Sequence, residues 1–138
     1  MISLHTYSHR VSFGDCDPAG IVYYPNLFKW VDTTFHDWIG VFGGHAHLCK
    51  ALGATGLGLM DAQAEFRAPL RDRDQFSVAI TGLEWTSRAL SVSYEGRLGD
   101  RLAFAARETR GVFVQQQEKL TAAPIQALRD MIERHDQG

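Results

Sequence analysis

Between positions 25 and 42 the residues Leu27, Phe28, Val31, Phe35, Trp38, Ile39 and Phe42 recur at steps of three and four. That spacing predicts an α-helix of about 18 residues with one wide apolar stripe. Lys29, Thr33 and Asp37 fall on the opposite side. Pro25 suits the first helical position, where its missing N–H leaves nothing unsatisfied. Gly40, Gly43 and Gly44 end the run. A stripe so rich in large aromatics marks this helix as the central packing element. Upstream, residues 5–13 alternate, with Tyr7, Val11 and Phe13 on one face, and predict a strand.

Downstream the period is mostly two. Phe76, Val78 and Ile80 occupy even positions, whereas Leu83 and Trp85 occupy odd ones, so a bulge is expected at Gly82. Leu90, Val92 and Tyr94 alternate with Ser91, Ser93 and Glu95, which predicts a half-buried strand. A further long strand is expected over 102–114, with polar turns at 69–74 and 96–101. A short terminal helix begins near Pro124 and places Ile125, Leu128 and Ile132 on one side. The order is strand, long helix, four strands, short helix. It predicts an α+β protein whose antiparallel sheet wraps around the central long helix.

Composition narrows the function. With 138 residues, 45% of them hydrophobic, the chain is read as one globular domain spanning 1–138. A net charge of −2 gives no electrostatic reason to expect nucleic acid or an anionic membrane as partner. No apolar run approaches the roughly 18 residues of a membrane span. Met1-Ile2-Ser3-Leu4-His5 lacks the basic-then-apolar order of a secretory signal. Two cysteines, Cys16 and Cys49, make no disulfide framework, so a reducing cytoplasm is the expected compartment.

The chemistry concentrates just ahead of the helix. Residues 13–26 hold two carboxylates, Asp15 and Asp17, a turn built on Pro18 and Gly20, and Pro25 at the helix start. A restrained acid is thereby set one loop away from the positive end of a helix, which stabilises negative charge developing on a carbonyl oxygen. Asp15 is read as a turn or strand-end hydrogen-bonding group. Cys16, between two acids, is a poor nucleophile, because neighbouring negative charge raises a thiol pKa. Tyr23 and Tyr24 serve either as packing aromatics or, for Tyr24, through the backbone. His45 and His47 sit in a Gly-rich stretch without an obvious third ligand. Asp72 and Asp74 alternate with Arg71 and Arg73 as in a solvated turn, and no metal is expected at either place.

Asp15-Cys16-Asp17-Pro18-Ala19-Gly20-Ile21-Val22-Tyr23-Tyr24-Pro25-Asn26, ahead of a long aromatic helix, resembles the signature of the 4-hydroxybenzoyl-CoA thioesterase family of hot-dog-fold proteins. The resemblance implies the hot-dog fold and hydrolysis of an acyl-CoA thioester without metal or other cofactor. It also implies active sites at a homo-oligomer interface, in a dimer or a dimer of dimers (a homotetramer). It assigns Asp17 as the catalytic carboxylate and the Tyr24 amide as the donor that polarises the carbonyl, with Gly20, Ile21, Val22 and Tyr23 against the substrate. Asp17 would either attack the carbonyl or deprotonate a water; both routes stay open.

Three substrate readings follow. An aromatic acyl group such as 4-hydroxybenzoyl leads, a short or medium aliphatic acyl group is the alternative, and a non-catalytic acyl-binding protein is a third. An ionised Asp17 would be superfluous in a pure binder. Asp32 lies on the border of the apolar stripe, beside Phe28 and Ile39, so it either meets the acyl group, for instance a phenolic hydroxyl, or hydrogen-bonds nearby backbone. Trp30 and Trp38 belong to the core or border the acyl pocket. Arg88, in the turn before Leu90, is the candidate for the phosphates of CoA or else an ordinary exposed charge. Because it is the single base in that turn, an acyl carrier protein stays open as the acyl donor.

Overall fold

The computed structural model describes residues 3–137. Met1 and Ile2, on which the reading of the leader order partly rests, lie outside the described residues. Strand β1 (His5–Arg10) leads into helix α1 (Pro25–Gly40) and helix α2 (His45–Leu52). Strands β2 (Gly56–Phe66), β3 (Gln75–Trp85), β4 (Leu90–Leu98), β5 (Arg101–Gln116) and β6 (Lys119–Ala123) follow, and helix α3 (Gln126–Gln137) closes the chain. The strands form one antiparallel sheet in the order β1-β3-β4-β5-β2, and β6 pairs with the far end of β5. This is the hot-dog arrangement: a curled sheet around one long helix.

The helical stripe explains the architecture. Leu27, Trp30, Val31, Phe35, Trp38 and Ile39 are all buried. They share one cluster with Phe76, Val78 and Ile80 of β3, Val92 and Tyr94 of β4, and Phe104 of β5. Trp30 packs on Phe76 with ring centroids 4.9 Å apart. The bulge falls where the parity slip put it, between Ile80 and Gly82. The terminal helix begins at Gln126, and Ile125, Leu128 and Ile132 are buried as expected.

Several boundaries differ from the sequence reading. The first strand stops at Arg10, because Asp15 accepts from the Ser12 N–H at 2.9 Å and its hydroxyl at 3.1 Å. These bonds wind residues Phe13–Asp15 into a short 3-10 turn. Val11 stays buried, but Phe13 is turned outward and 80% exposed. The long helix has 16 residues, not 18. Gly43 and Gly44, at φ 110° and 91°, then break the chain into a second helix. That helix, over a stretch read as a loop, buries Leu48 and Cys49.

Five strands follow the helices, not four. β2 escaped notice because most of its side chains are exposed on both faces, so no alternation is visible. The 96–101 turn shrinks to Gly99 and Asp100, since β4 runs to Leu98 and β5 starts at Arg101. Gly96 is a strand residue seated over the Phe104 ring, where a Cβ would collide.

Candidate active site

Cys16 and Val22 form an isolated antiparallel bridge that pinches the chain between them into a tight loop. Inside it the Asp17 N–H donates to the Ile21 carbonyl, and the Gly20 N–H to the Asp17 carbonyl, each at 2.9 Å. Gly20 adopts φ 80°, a left-handed conformation that glycine takes without strain. The Asp17 carboxylate accepts the Ala19 N–H on Oδ1 at 2.8 Å. Among the described residues its Oδ2 has no protein donor. One oxygen is therefore anchored, and the other is left for chemistry.

The loop runs directly into α1. The Val22 N–H is held by the Leu70 carbonyl at 2.8 Å and the Tyr23 N–H by the Asp15 carbonyl at 2.9 Å. Asn26 N–H donates to Tyr23 and Leu27 N–H to Tyr24, both at 3.0 Å, while Pro25 has no N–H. Among the described residues this leaves the Tyr24 N–H without a protein acceptor at the positive end of a 16-residue helix. The structure thus brings Asp17 and the Tyr24 amide together on one short stretch of chain.

Beside them opens an apolar cleft of about 480 Å3, walled by Ile21, Val22, Tyr24, Leu27, Phe66 and Arg67 among others. Ile21 and Val22, two of the residues expected against the substrate, line it, as does Tyr24. Asp17, Gly20 and Tyr23 lie outside its wall, as do Asp32 and Arg88. Sequence reasoning missed Phe66 and Arg67, which end β2 and follow it, because that strand itself was not seen. The Tyr23 and Tyr24 rings are exposed and meet edge to face at 5.5 Å. Trp30 and Trp38 are buried in the core and do not border this cleft.

Asp15 is structural, as its position suggested. Burial raises its carboxyl pKa, but the Ser12 N–H and hydroxyl and neighbouring His9 outweigh that and hold it below the ordinary value. Burial pushes the Cys16 thiol up, and the charges of Asp72, Asp15 and Asp17 add to it. Arg88 is exposed, and its Nη1 donates to the Ala122 carbonyl at 2.7 Å, tying the β3–β4 turn to β6. His45 accepts the Leu57 N–H at 3.2 Å and so serves α2 packing. Among the described residues no three His, Cys, Asp or Glu side chains are grouped to hold a metal ion.

Asp32 finds its protein partner in a side chain and not in nearby backbone. Its Oδ1 accepts Arg110 Nη2 at 2.7 Å, a side-chain ion pair and not a backbone bond. His36, one turn on, sits 3.5 Å from the same oxygen. Arg110 is 5% exposed and Glu108 3%, whereas Asp32 is 53% exposed. Glu108 takes Arg110 through both oxygens, at 3.0 and 2.8 Å, and the Tyr94 hydroxyl at 2.6 Å. The Arg110 guanidinium also lies 4.0 Å from the centre of the Phe35 ring. Burial disfavours its charge, but the bonds and charge of Glu108 and Asp32 more than compensate, so it stays protonated. Burial, then Glu108, push Tyr94 far above the usual phenol range. Two carboxylates around one guanidinium leave one negative charge, and Asp32 is where it faces outward.

Comparison with known proteins gives the family and the fold. Residues 11–132 match the model of the thioesterase-like superfamily, and the chain belongs to that family. It is a thioesterase of the hot-dog fold. A 4-hydroxybenzoyl-CoA thioesterase from Pseudomonas sp. (strain CBS-3) is 30% identical over 129 residues, 88% of this chain and 92% of the relative. A 1,4-dihydroxy-2-naphthoyl-CoA hydrolase from Thermosynechococcus vestitus is 31% identical over 108 residues, 74% of this chain and 71% of that one. Among solved structures, a gentisyl-coenzyme A thioesterase superposes with a TM-score of 0.77 at 28% identity, covering 90% of this chain and 98% of its own.

The buried charge network yields a stability prediction. Arg110→Ala strands Glu108 without its counter-charge and should cost about 3–5 kcal/mol. Glu108→Gln combined with Arg110→Met removes both charges, keeps an acceptor for Tyr94, and should recover most of that loss. Urea unfolding of the three proteins measures it. A single variant as stable as the wild type would show that the pair is not what holds this region.

Proposed function

We propose that the chain hydrolyses an aromatic acyl-CoA, 4-hydroxybenzoyl-CoA in the first instance, to the free acid and CoA. The observation that carries the reading is the pairing of a half-anchored Asp17 carboxylate with the unoccupied Tyr24 N–H at the start of α1. A thioester is already a reactive acyl donor, so it needs an oxygen nucleophile and a place for negative charge. In this reading the Tyr24 N–H receives the carbonyl oxygen as it becomes negative. The free oxygen of Asp17 either attacks the carbonyl carbon, expelling the CoA thiolate to leave a mixed anhydride that water opens, or takes a proton from the attacking water. The apolar cleft beside Tyr24 offers room for the acyl group.

The relatives described above act on hydroxylated aromatic acyl groups, which supports an aromatic substrate here. Asp32 supports the hydroxyl. Tyr24, Phe28, Asp32 and His36 are spaced by four and form one row on α1. Eight residues rise about 12 Å along the axis, and helical side chains lean back toward the N-terminus. A benzoyl ring held at the Tyr24 amide would thus point its para-hydroxyl along the row toward the outward-facing charge of Asp32.

The same reading includes a homodimer in the cytoplasm. β2 pairs only with β5, so its outer edge is open, and Leu59, Met60 and Phe66 on it are exposed. Open apolar edges invite pairing with another chain. Phe66 belongs both to that strand and to the cleft wall, so pairing of two β2 edges would complete the cleft. Light scattering during gel filtration should give at least a dimer. A fully active monomer would exclude a site at the interface.

Asp17→Asn should fold normally and lose at least about a hundredfold in kcat, because the amide keeps the shape and removes the reactive oxygen. Asp15→Asn should lose far less. Thiol release from a panel of aromatic and aliphatic acyl-CoAs is the assay, and near-normal turnover by the Asp17 variant would remove it from the mechanism. In the same panel, Asp32→Asn should reduce kcat/KM for 4-hydroxybenzoyl-CoA roughly tenfold to a hundredfold more than for benzoyl-CoA, since a charge-assisted bond contributes about 1.5–3 kcal/mol. Equal losses on both substrates would make Asp32 purely structural.

A further inference from the structure

One conspicuous bond in this region serves neither the helix nor the cleft. The Asn26 side chain, in the first turn of α1, donates from Nδ2 to the backbone carbonyl of Asp15 at 2.9 Å. A polar side chain at a helix start ordinarily caps free N–H groups, yet α1 has no side-chain cap. Asn26 instead reaches back across eleven residues to the strand side of the catalytic loop. Asp15 lies two residues before Asp17, and Asn26 two residues after Tyr24. The bond therefore joins the segment that carries the carboxylate to the segment that carries the carbonyl-polarising amide.

Asp15 is a fixed post for such a tie. Its carboxylate is held by the Ser12 N–H and hydroxyl. His9 Nε2 stands 3.6 Å from Oδ2. The His9 ring is wedged against Trp30, 4.7 Å between centroids, and Phe76, 5.7 Å, so this post is set in the core. The Asp15 carbonyl takes a second bond, from the Tyr23 N–H at 2.9 Å. Both bonds it accepts thus come from the residues flanking Tyr24 and Pro25. Removing Asn26 leaves the Tyr23 and Val22 bonds, so the carbonyl stays satisfied and the loop stays closed, but the side-chain tie from the first turn of α1 to the Asp15 end of the loop is lost.

We propose that Asn26 is a positioning residue for the hydrolysis: its side-chain amide sets the separation between the Asp17 carboxylate and the Tyr24 N–H. This rests on the reading of those two groups as the catalytic pair. Small misplacements of reacting groups are costly, a displacement of about 1 Å being enough for a hundredfold loss. The effect should therefore appear in turnover and not in substrate binding.

The test uses the full chain with 4-hydroxybenzoyl-CoA, or benzoyl-CoA if that is the faster substrate. Asn26→Ala should lower kcat about tenfold to a hundredfold while KM stays within about twofold. Thr33→Ala, which removes a hydrogen bond of similar length to the Lys29 carbonyl on the same helix, should leave both unchanged. In the Asp17→Asn background, where substrate persists, adding Asn26→Ala should leave its measured Kd within about twofold. Unchanged kcat in Asn26→Ala, or a Kd that weakens in parallel with kcat, overturns the proposal. Should Asn26→Ala not fold, Asn26→Ser, too short to span the gap, asks the same question. Full turnover by Asp17→Asn alone would instead overturn the catalytic pair, and the two failures are distinct.

Discussion

The burial of α1 against the curled sheet is the interaction on which the rest of this molecule depends. Seven of its 16 side chains are buried, among them two tryptophans and a phenylalanine. At about 25 cal/mol per Å2 such aromatics dominate the hydrophobic driving force. The consequence for function is geometric. A helix packed so firmly along its length has a start that cannot wander, and Tyr24 is that start. The loop ahead of it is then fastened to the same core through Val22, which is buried, and through its bond to Leu70. Core packing thus fixes where the Tyr24 N–H lies, and the Asn26 side chain ties the Asp15 end of the loop to that same helix start.

Where the sequence was legible, one side of an element was buried and the other was not. The helix stripe, the bulge at Gly82 and the alternation of β4 are of this kind, because a period survives only when one face is excluded from water. β2 has no such contrast: its residues from Leu59 to Gln63 are exposed in the chain alone, so the pattern that would have shown it depends on whatever covers that edge. α2 was hidden by the glycines on either side of it, which read as loop although each only terminates a helix. Phe13 misled for a related reason. Its parity with Tyr7 and Val11 was real, but two short bonds from Ser12 to Asp15 turned the chain before the parity mattered.

The candidate site was legible in its loop and illegible in its support. Asp17 and Tyr24 are neighbours along the chain, so their proximity follows from the order of residues. Arg110 and Asp32 are 78 residues apart, and Glu108 and Arg110 alternate on β5 in a way that reads as a solvated face. In the folded protein that face points at α1. No local rule announces a buried guanidinium, since its acceptability depends on Glu108 beside it on β5 and on Asp32, Phe35 and Tyr94 arriving from two other elements. Buried ion pairs are weak sources of stability and are often replaceable by apolar residues. Their retention here is best understood through what reaches the surface, which is the single excess negative charge carried by Asp32.

The proposed mechanism asks little of side-chain identity. In it the carbonyl-polarising donor is a backbone N–H, which every residue but proline supplies, and it depends on where the helix begins more than on which side chain begins it. One carboxylate then suffices for a thioester, whose leaving group departs readily. On the same proposal the row of side chains further along the helix and the wall of the cleft would meet the acyl group and not the reacting carbonyl. The chemistry so proposed would rest on few residues: an acid in the loop, a glycine that closes it, and whatever ties that loop to the helix. Specificity would then lie in the remainder, where the exposed Asp32 carboxylate braced by the buried Arg110 would favour a hydrogen-bond donor over an anion.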